Sequence, residues 1–271
     1  MAVPVGAVAV EATLPAGGRL LDALAALLQV HGVESAALTL SGGGFRPFAY
    51  VIPALPLDGS QVAFYSGAYQ PDSMVRLDVA AVTVGTRDGS PFFHCHALWT
   101  EADGKPGCGH VLPDDTVVAE PVTVRGVGIV GARFVVTPDA ETGFSLLMPF
   151  ATGTEPPAHA KPALAVRLAP NQDLIGALEE AGRQAGFRRA VVQGGVASVN
   201  EARFVEAPPI LGFATELLVR RGAIRCVAGA GEATKVEVAI VDHTGAIGAG
   251  CLVAGDNPVL MTFEGVLEAV G

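Results

Sequence analysis

Residues Thr244-Gly245-Ala246-Ile247-Gly248-Ala249-Gly250-Cys251-Leu252 lie on Asp103-Gly104-Lys105-Pro106-Gly107-Cys108-Gly109-His110-Val111 without a gap. Gly104, Gly107 and Gly109 then meet Gly245, Gly248 and Gly250, and beyond the window Asp115 meets Asp256. Glycine holds positions where the backbone takes a shape that side chains resist, so this agreement reads as a shared scaffold. Upstream, both halves run in the order turn, helix, Gly, strand, Gly-Gly. In the first half these are 14–18, a helix over 20–28 with apolar residues three and four apart, Gly32, a strand over 35–40 and Gly42-Gly43. In the second they are Pro170-Asn171-Gln172-Asp173, a helix over 175–184, Gly186, a strand from Arg189 and Gly194-Gly195. An internal duplication follows. The polar, Pro- and Gly-rich stretch 139–162 is the most linker-like in the chain, giving a first domain at 1–138, a linker at 139–162 and a second domain at 163–271.

Each half must build a core, and the composition supplies one: of 271 residues 50% are hydrophobic and 16% charged, which excludes a disordered chain. The 34 glycines and 19 prolines, with helical periodicity confined to a few windows, predict many short strands and turns. Strands are expected over 5–12, 45–52, 61–69, 74–86 and the β-branched run 117–136, with turns at Asp58-Gly59 and at Arg87-Asp88-Gly89-Ser90. Ser41-Gly42-Gly43-Gly44 is not a dinucleotide fingerprint, because no G-x-G-x-x-G opens a helix there. A net charge of −10 and the lack of any Lys/Arg-rich run argue against nucleic acid as a partner. No apolar window is long enough for a membrane span. The four cysteines form no C-x-x-C pair and the start has no secretory pattern, so a reduced, cytoplasmic protein is expected.

The chemistry concentrates in Phe92-Phe93-His94-Cys95-His96-Ala97-Leu98-Trp99 and its continuation to His110. On a strand His94 and His96 share one face, while Cys95, Ala97 and Trp99 take the other. The polar segment 100–106, with its Asp-Gly pair, reads as a hairpin turn that brings His110 back beside them. Three imidazoles around one point suit a tetrahedral divalent metal with one open position, the arrangement of catalytic zinc sites. The competing reading is a hydrogen-bonded structural cluster. Cys95 lies on the wrong face to join the group, and Cys108 is the better of two weak further candidates. His31 in the last turn of the first helix reads as a helix-end cation and His243 as a solvated turn residue. In the duplication His94, His96 and His110 fall opposite Lys235, Glu237 and Cys251, so one copy holds the site and the other keeps only the scaffold.

The pattern Pro91-Phe92-Phe93-His94-Cys95-His96, Asp103-Gly104 and Gly109-His110-Val111-Leu112 resembles the bacterial PPC domain, also called domain of unknown function 296. So does Arg167-Leu168-Ala169-Pro170-Asn171-Gln172-Asp173-Leu174, and the resemblance covers both halves, over 10–135 and 163–270. It implies an α+β fold of two tandem domains, each a curved, mainly antiparallel sheet with one principal helix, assembled as a trimer or as multiples built from trimeric domain rings. It also implies a metal site, carried here onto His94, His96 and His110. Plant relatives are DNA-associated through AT-hook segments, and bacterial members are often labelled DNA-binding by analogy. This chain has no Arg-Gly-Arg-Pro hook and is acidic.

The expected function is therefore a metal-binding protein, zinc by the ligand set, that acts on or senses a small and anionic molecule; the alternative is a DNA-binding regulator. As an enzyme it would be a metal-dependent hydrolase or lyase. Arg46, Arg76 and Arg87 are candidates to orient an anionic substrate, and Glu101 beside the hairpin is the nearest candidate base.

Overall fold

The structure, a computed structural model, describes residues 1–56 and 63–270. The expected turn at Asp58-Gly59 and the first residues of the strand expected over 61–69 lie outside the described residues. In the first half the strands are β1 (Ala2–Leu14), β2 (Ser35–Ser41), β3 (Gly44–Phe45), β4 (Tyr50–Val51), β5 (Pro53–Ala54), β6 (Phe64–Tyr65), β7 (Val75–Arg87), β8 (Ser90–Thr100), β9 (Pro106–Val111), β10 (Val118–Glu120) and β11 (Val122–Val130). Hairpin β12 (Ala132–Pro138) and β13 (Ser145–Ala151) follows, and then β14 (Lys161–Leu168), β15 (Arg189–Val199), β16 (Thr215–Arg225), β17 (Lys235–Asp242), β18 (Ile247–Cys251) and β19 (Val259–Val270). Two helices, α1 (Leu20–Val30) and α2 (Leu174–Gln184), complete a mostly antiparallel α+β fold. No helix among the described residues is long and apolar enough to cross a membrane.

Strand β1 is longer than its sequence suggests because it serves both halves. Residues Gly6 to Leu14 pair with β11, and Ala2 to Ala7 pair with β14, so the sheet runs on from one half into the other. Each helix buries one stripe: Leu20, Leu24 and Leu28 of α1, and Leu174, Ile175 and Leu178 of α2. Asp173 caps α2 by accepting the Gly176 N–H at 2.8 Å.

Alternation along the strands sorts residues between three layers of apolar packing. Val82 and Val84 of β7 face the first core with α1, around Phe45, Phe48, Phe93 and Trp99. Leu217 and Val219 of β16 face the second core with α2. The residues between them turn the other way, and Ala81, Cys108, Val196, Leu218, Ala239 and Val241 close a seam between the two halves. Gly194, at φ +64°, allows the approach: a Cβ there would stand 3.1 Å from the Cβ of Ala37.

The segment 139–162 departs from its linker-like composition. Its run Leu146-Leu147-Met148 forms β13, paired with β12 from Ala132↔Ala151 to Pro138↔Ser145. Residues 139–144 and 152–160 remain without strand. The stretch 45–52 is also less regular than expected, two short strands flanking Pro47 in place of one.

Candidate metal centre

Strand β8 is held from behind. Phe93, Cys95, Ala97 and Trp99 are 0–1% exposed in the first core, which leaves His94 and His96 on the face toward the second half. The turn after it closes with the Glu101 N–H donating to the Lys105 carbonyl at 2.8 Å, and β9 returns with His110 directly opposite His96. On the other side β7 sets Ala81 beside His96 and Thr83 beside His94. In the second half the corresponding strands β17 and β18 set Glu237 opposite Cys251, the pairing the repeat predicts, but Glu237 is bound to Arg220 at 2.9 Å.

The second half nevertheless supplies two carboxylates. Glu216 from β16 contacts His96 Nε2, and Glu264 from β19 accepts from His94 Nδ1 at 2.9 Å and from the Leu147 N–H at 3.2 Å. His94, His96, His110 and Glu216 form a group that could hold a metal ion, one ligand atom from each lying within 4.8 Å of the others. Glu216 is 6% exposed, His96 1% and Glu264 0%.

The hydrogen bonds set the tautomers. His96 Nδ1 donates to the Leu217 carbonyl at 2.8 Å, an acceptor only, and His94 Nδ1 donates to the Glu264 carboxylate. His110 Nδ1 is bonded to the Tyr65 hydroxyl at 3.3 Å. Each ring is thus held through Nδ1, and His94 and His96 turn Nε2 inward, as outer partners do for metal-bound histidines. In neutral rings the Nε2 atoms of His94 and His96, 3.0 Å apart, then point lone pairs at one another, with the Glu216 carboxylate beside them. Three acceptors converging in a buried space repel unless a cation sits among them. The donor set therefore fits a divalent metal. The sequence expectation of three histidines and one open position becomes three histidines and a carboxylate.

Electrostatics follow the same layout. Burial acts to lower the His94 pKa, but the charge and hydrogen bond of Glu264, with Glu216 adding, carry it above the ordinary imidazole value. Burial, then the neighbouring His94, His96 and Arg87, hold His110 well below that value. Crowding of its hydroxyl end, then the charges of Glu216 and Glu264, keep Tyr65 a neutral phenol. Burial pushes the Cys95 and Cys108 thiols up, and neither belongs to the group.

Two cavities adjoin the cluster. One, of about 40 Å³, touches His96 and Glu216 and is lined also by Ser198 and Thr262, whose buried hydroxyl has no partner. The other, of about 310 Å³, is lined by Arg87, Phe92, His94, His110 and Glu264 among others. Of the arginines proposed from sequence only Arg87 reaches it; Arg76 faces Glu120 at 3.7 Å, and Arg46 is exposed elsewhere. Glu101 is not brought to the histidines and lines a separate cavity with Tyr50, Tyr69 and Lys105. His31 caps the end of α1. His243 differs from expectation, being half-buried with an unpartnered Nδ1.

Sequence reasoning missed Glu216, Glu264 and Tyr65. The signal for the two acids was present: each is a carboxylate within an apolar stretch, Thr-Glu-Leu-Leu-Val and Thr-Phe-Glu-Gly-Val, where an acid needs a partner. Glu264→Gln removes the charge that fixes the His94 tautomer. It is expected to lower metal affinity about 10- to 100-fold in competition with a chelator, with little change in the far-ultraviolet spectrum.

Neither a protein-family model nor a curated protein matches this chain. Among solved structures it is similar to a metal-containing protein of Archaeoglobus fulgidus, at 20% identity over 53% of this chain and 94% of that one, with a TM-score of 0.42. A Ralstonia eutropha protein under a provisional DNA-binding label shares 19% identity over 51% of this chain and 89% of that one, at a TM-score of 0.37. The neighbours also include the plant- and prokaryote-conserved (PPC) protein of Pyrococcus horikoshii, at 18% identity over 55% of this chain and 94% of that one and a TM-score of 0.43, which carries the domain that the histidine motif resembles.

Proposed function

We propose that this chain is a divalent-metal protein, with zinc the best match to its donors, that acts on or senses a small molecule at a site built by both halves. The observation that carries this reading is the gathering of His94, His96, His110 and the carboxylate of Glu216 with ligand atoms within 4.8 Å of one another, each ring held at Nδ1. A metal held by His94, His96, His110 and Glu216 would supply Lewis acidity at the floor of the 310 Å³ cavity. Around it Glu264 keeps the proton on His94 Nδ1, and Tyr65 offers a neutral hydroxyl at the wall. Phe92, Phe144, Leu146 and Leu147 give that wall an apolar side. Such a mixture suits a small organic ligand. The reading takes in a hydrolase or lyase as well as a sensor, the two-domain division at 1–138 and 163–271, the trimeric assembly implied by the resemblance and a cytoplasmic setting. The four free cysteines are in keeping with a reduced compartment. Nucleic-acid binding is left out, because 27 acidic side chains outnumber 17 basic ones.

The test is metal content by mass spectrometry on protein purified without a His tag or added metal. About one transition metal per chain is expected in the parent and almost none in His96→Ala. Absence of metal from the parent, and failure to take up zinc on dialysis, would overturn the reading.

A further inference from the structure

The cavity beside His94 and His110 is lined by a cation, Arg87, that meets no carboxylate among the described residues. We propose that Arg87, pinned over the ring of Phe92, recognises the carboxylate of a small organic acid that binds in this cavity. The proposal rests on the metal reading only for what lies at the cavity floor; Arg87 itself is outside the metal group.

The position of Arg87 is built in. It ends β7 directly opposite Ser90, across the two-residue turn Asp88-Gly89, whose φ values of 51° and 78° are those of a tight hairpin. Its guanidinium carbon stands 3.7 Å from the Phe92 ring centroid. Stacking of that kind leaves the edge of the planar fork free for hydrogen bonding. Several other cations are paired, Arg19 with Asp22, Arg125 with Glu11, Arg183 with Glu180 and Lys161 with Glu268. Arg87 has no carboxylate partner among the described residues. The acid that lines the same cavity, Glu264, already serves His94 and the Leu147 N–H. The Arg87 charge is felt at His110 and at His94, where it acts to lower the pKa of each.

The fork geometry matches a carboxylate through two parallel hydrogen bonds. Phe92 and Phe144 line the same 310 Å³ cavity, which suits a short ligand that is at least partly apolar. An arginine that merely covers Phe92 would share the stacking but would not change the affinity of any ligand.

The test is calorimetric titration of zinc-loaded and of chelator-stripped full chain with glycolate, succinate and benzoate, each beside its uncharged amide, and with inorganic phosphate. At least one carboxylate is expected to bind the loaded parent. Arg87→Gln should weaken it about 10- to 100-fold and leave the amide unchanged, and Arg87→Lys should restore part of the loss. Equal binding to parent and Arg87→Gln, no binding of any of the three acids, or tighter binding of phosphate than of each would overturn the carboxylate assignment while metal content stays intact. Arg87-dependent binding by a parent that takes up no zinc would uphold the assignment and remove the metal reading instead.

Discussion

Glu216→Gln is expected to cost metal affinity about 100-fold or more, although Glu216 stands in the half of the chain that has none of the site histidines. The substitution keeps size and hydrogen-bonding capacity and removes one negative charge. Three neutral imidazoles cannot offset a +2 ion, and a buried carboxylate beside His96 is the charge best placed to do so. Removing a partner that only orients a ligand costs 10- to 100-fold, so removing a charged donor should exceed that. The measurement is zinc affinity by chelator competition, with a thermal melt as control. The same change relieves an acid that is 6% exposed from facing the cluster without metal, so the stripped variant should melt no lower than the stripped parent. A loss of affinity below about threefold would assign Glu216 to packing and leave a three-histidine site.

That expectation marks where the sequence stops being readable. Both helices, the hairpin and the shared face of His94, His96 and His110 are local: they follow from periodicity, from glycine positions and from turn chemistry within a few residues. The alignment of the two halves even carries into strand register, His96 opposite His110 and Glu237 opposite Cys251. What it invites is a search for a second, worn site at Lys235, Glu237 and Cys251. The second half contributes something else, carboxylates from β16 and β19 that complete the site of the first. Those residues are more than a hundred positions from the histidines, and the apolar seam that brings them together consists of Ala81, Cys108, Val196, Leu218, Ala239 and Val241, with no pattern to tell them from core. Strand β13 was hidden for a related reason: its short apolar run is interrupted by Pro149 and flanked by Thr142-Gly143 and Thr152-Gly153, and its pairing with β12 decides it. Glu101 shows the converse, a plausible neighbour in sequence that the hairpin turn carries to a different cavity.

The largest stability effect should fall on the residue that backs the histidine strand. Trp99 is fully buried, with its ring centroid 4.5 Å from that of Tyr50 and 4.9 Å from that of Phe48. Trp99→Ala leaves a large void and is expected to cost about 3–5 kcal/mol, a fall of roughly 10 °C or more in melting temperature for a chain of this length. Trp99→Phe should cost much less, because the indole Nε1 is buried with no hydrogen-bond partner and its loss forfeits no bond. Gly107, one strand over, makes the reasoning sharper. Its φ is not in the left-handed region, yet a Cβ there would meet the Trp99 Cε2 and Nε1 at 2.3 Å. Gly107→Ala should therefore cost about 1–3 kcal/mol in the parent through overpacking alone. Phenylalanine lacks the outer part of the indole, so the same alanine should be nearly neutral in the Trp99→Phe background, a coupling that chemical denaturation of the four proteins would measure. Strictly additive costs would mean that the glycine is kept for its backbone and not for the ring it faces.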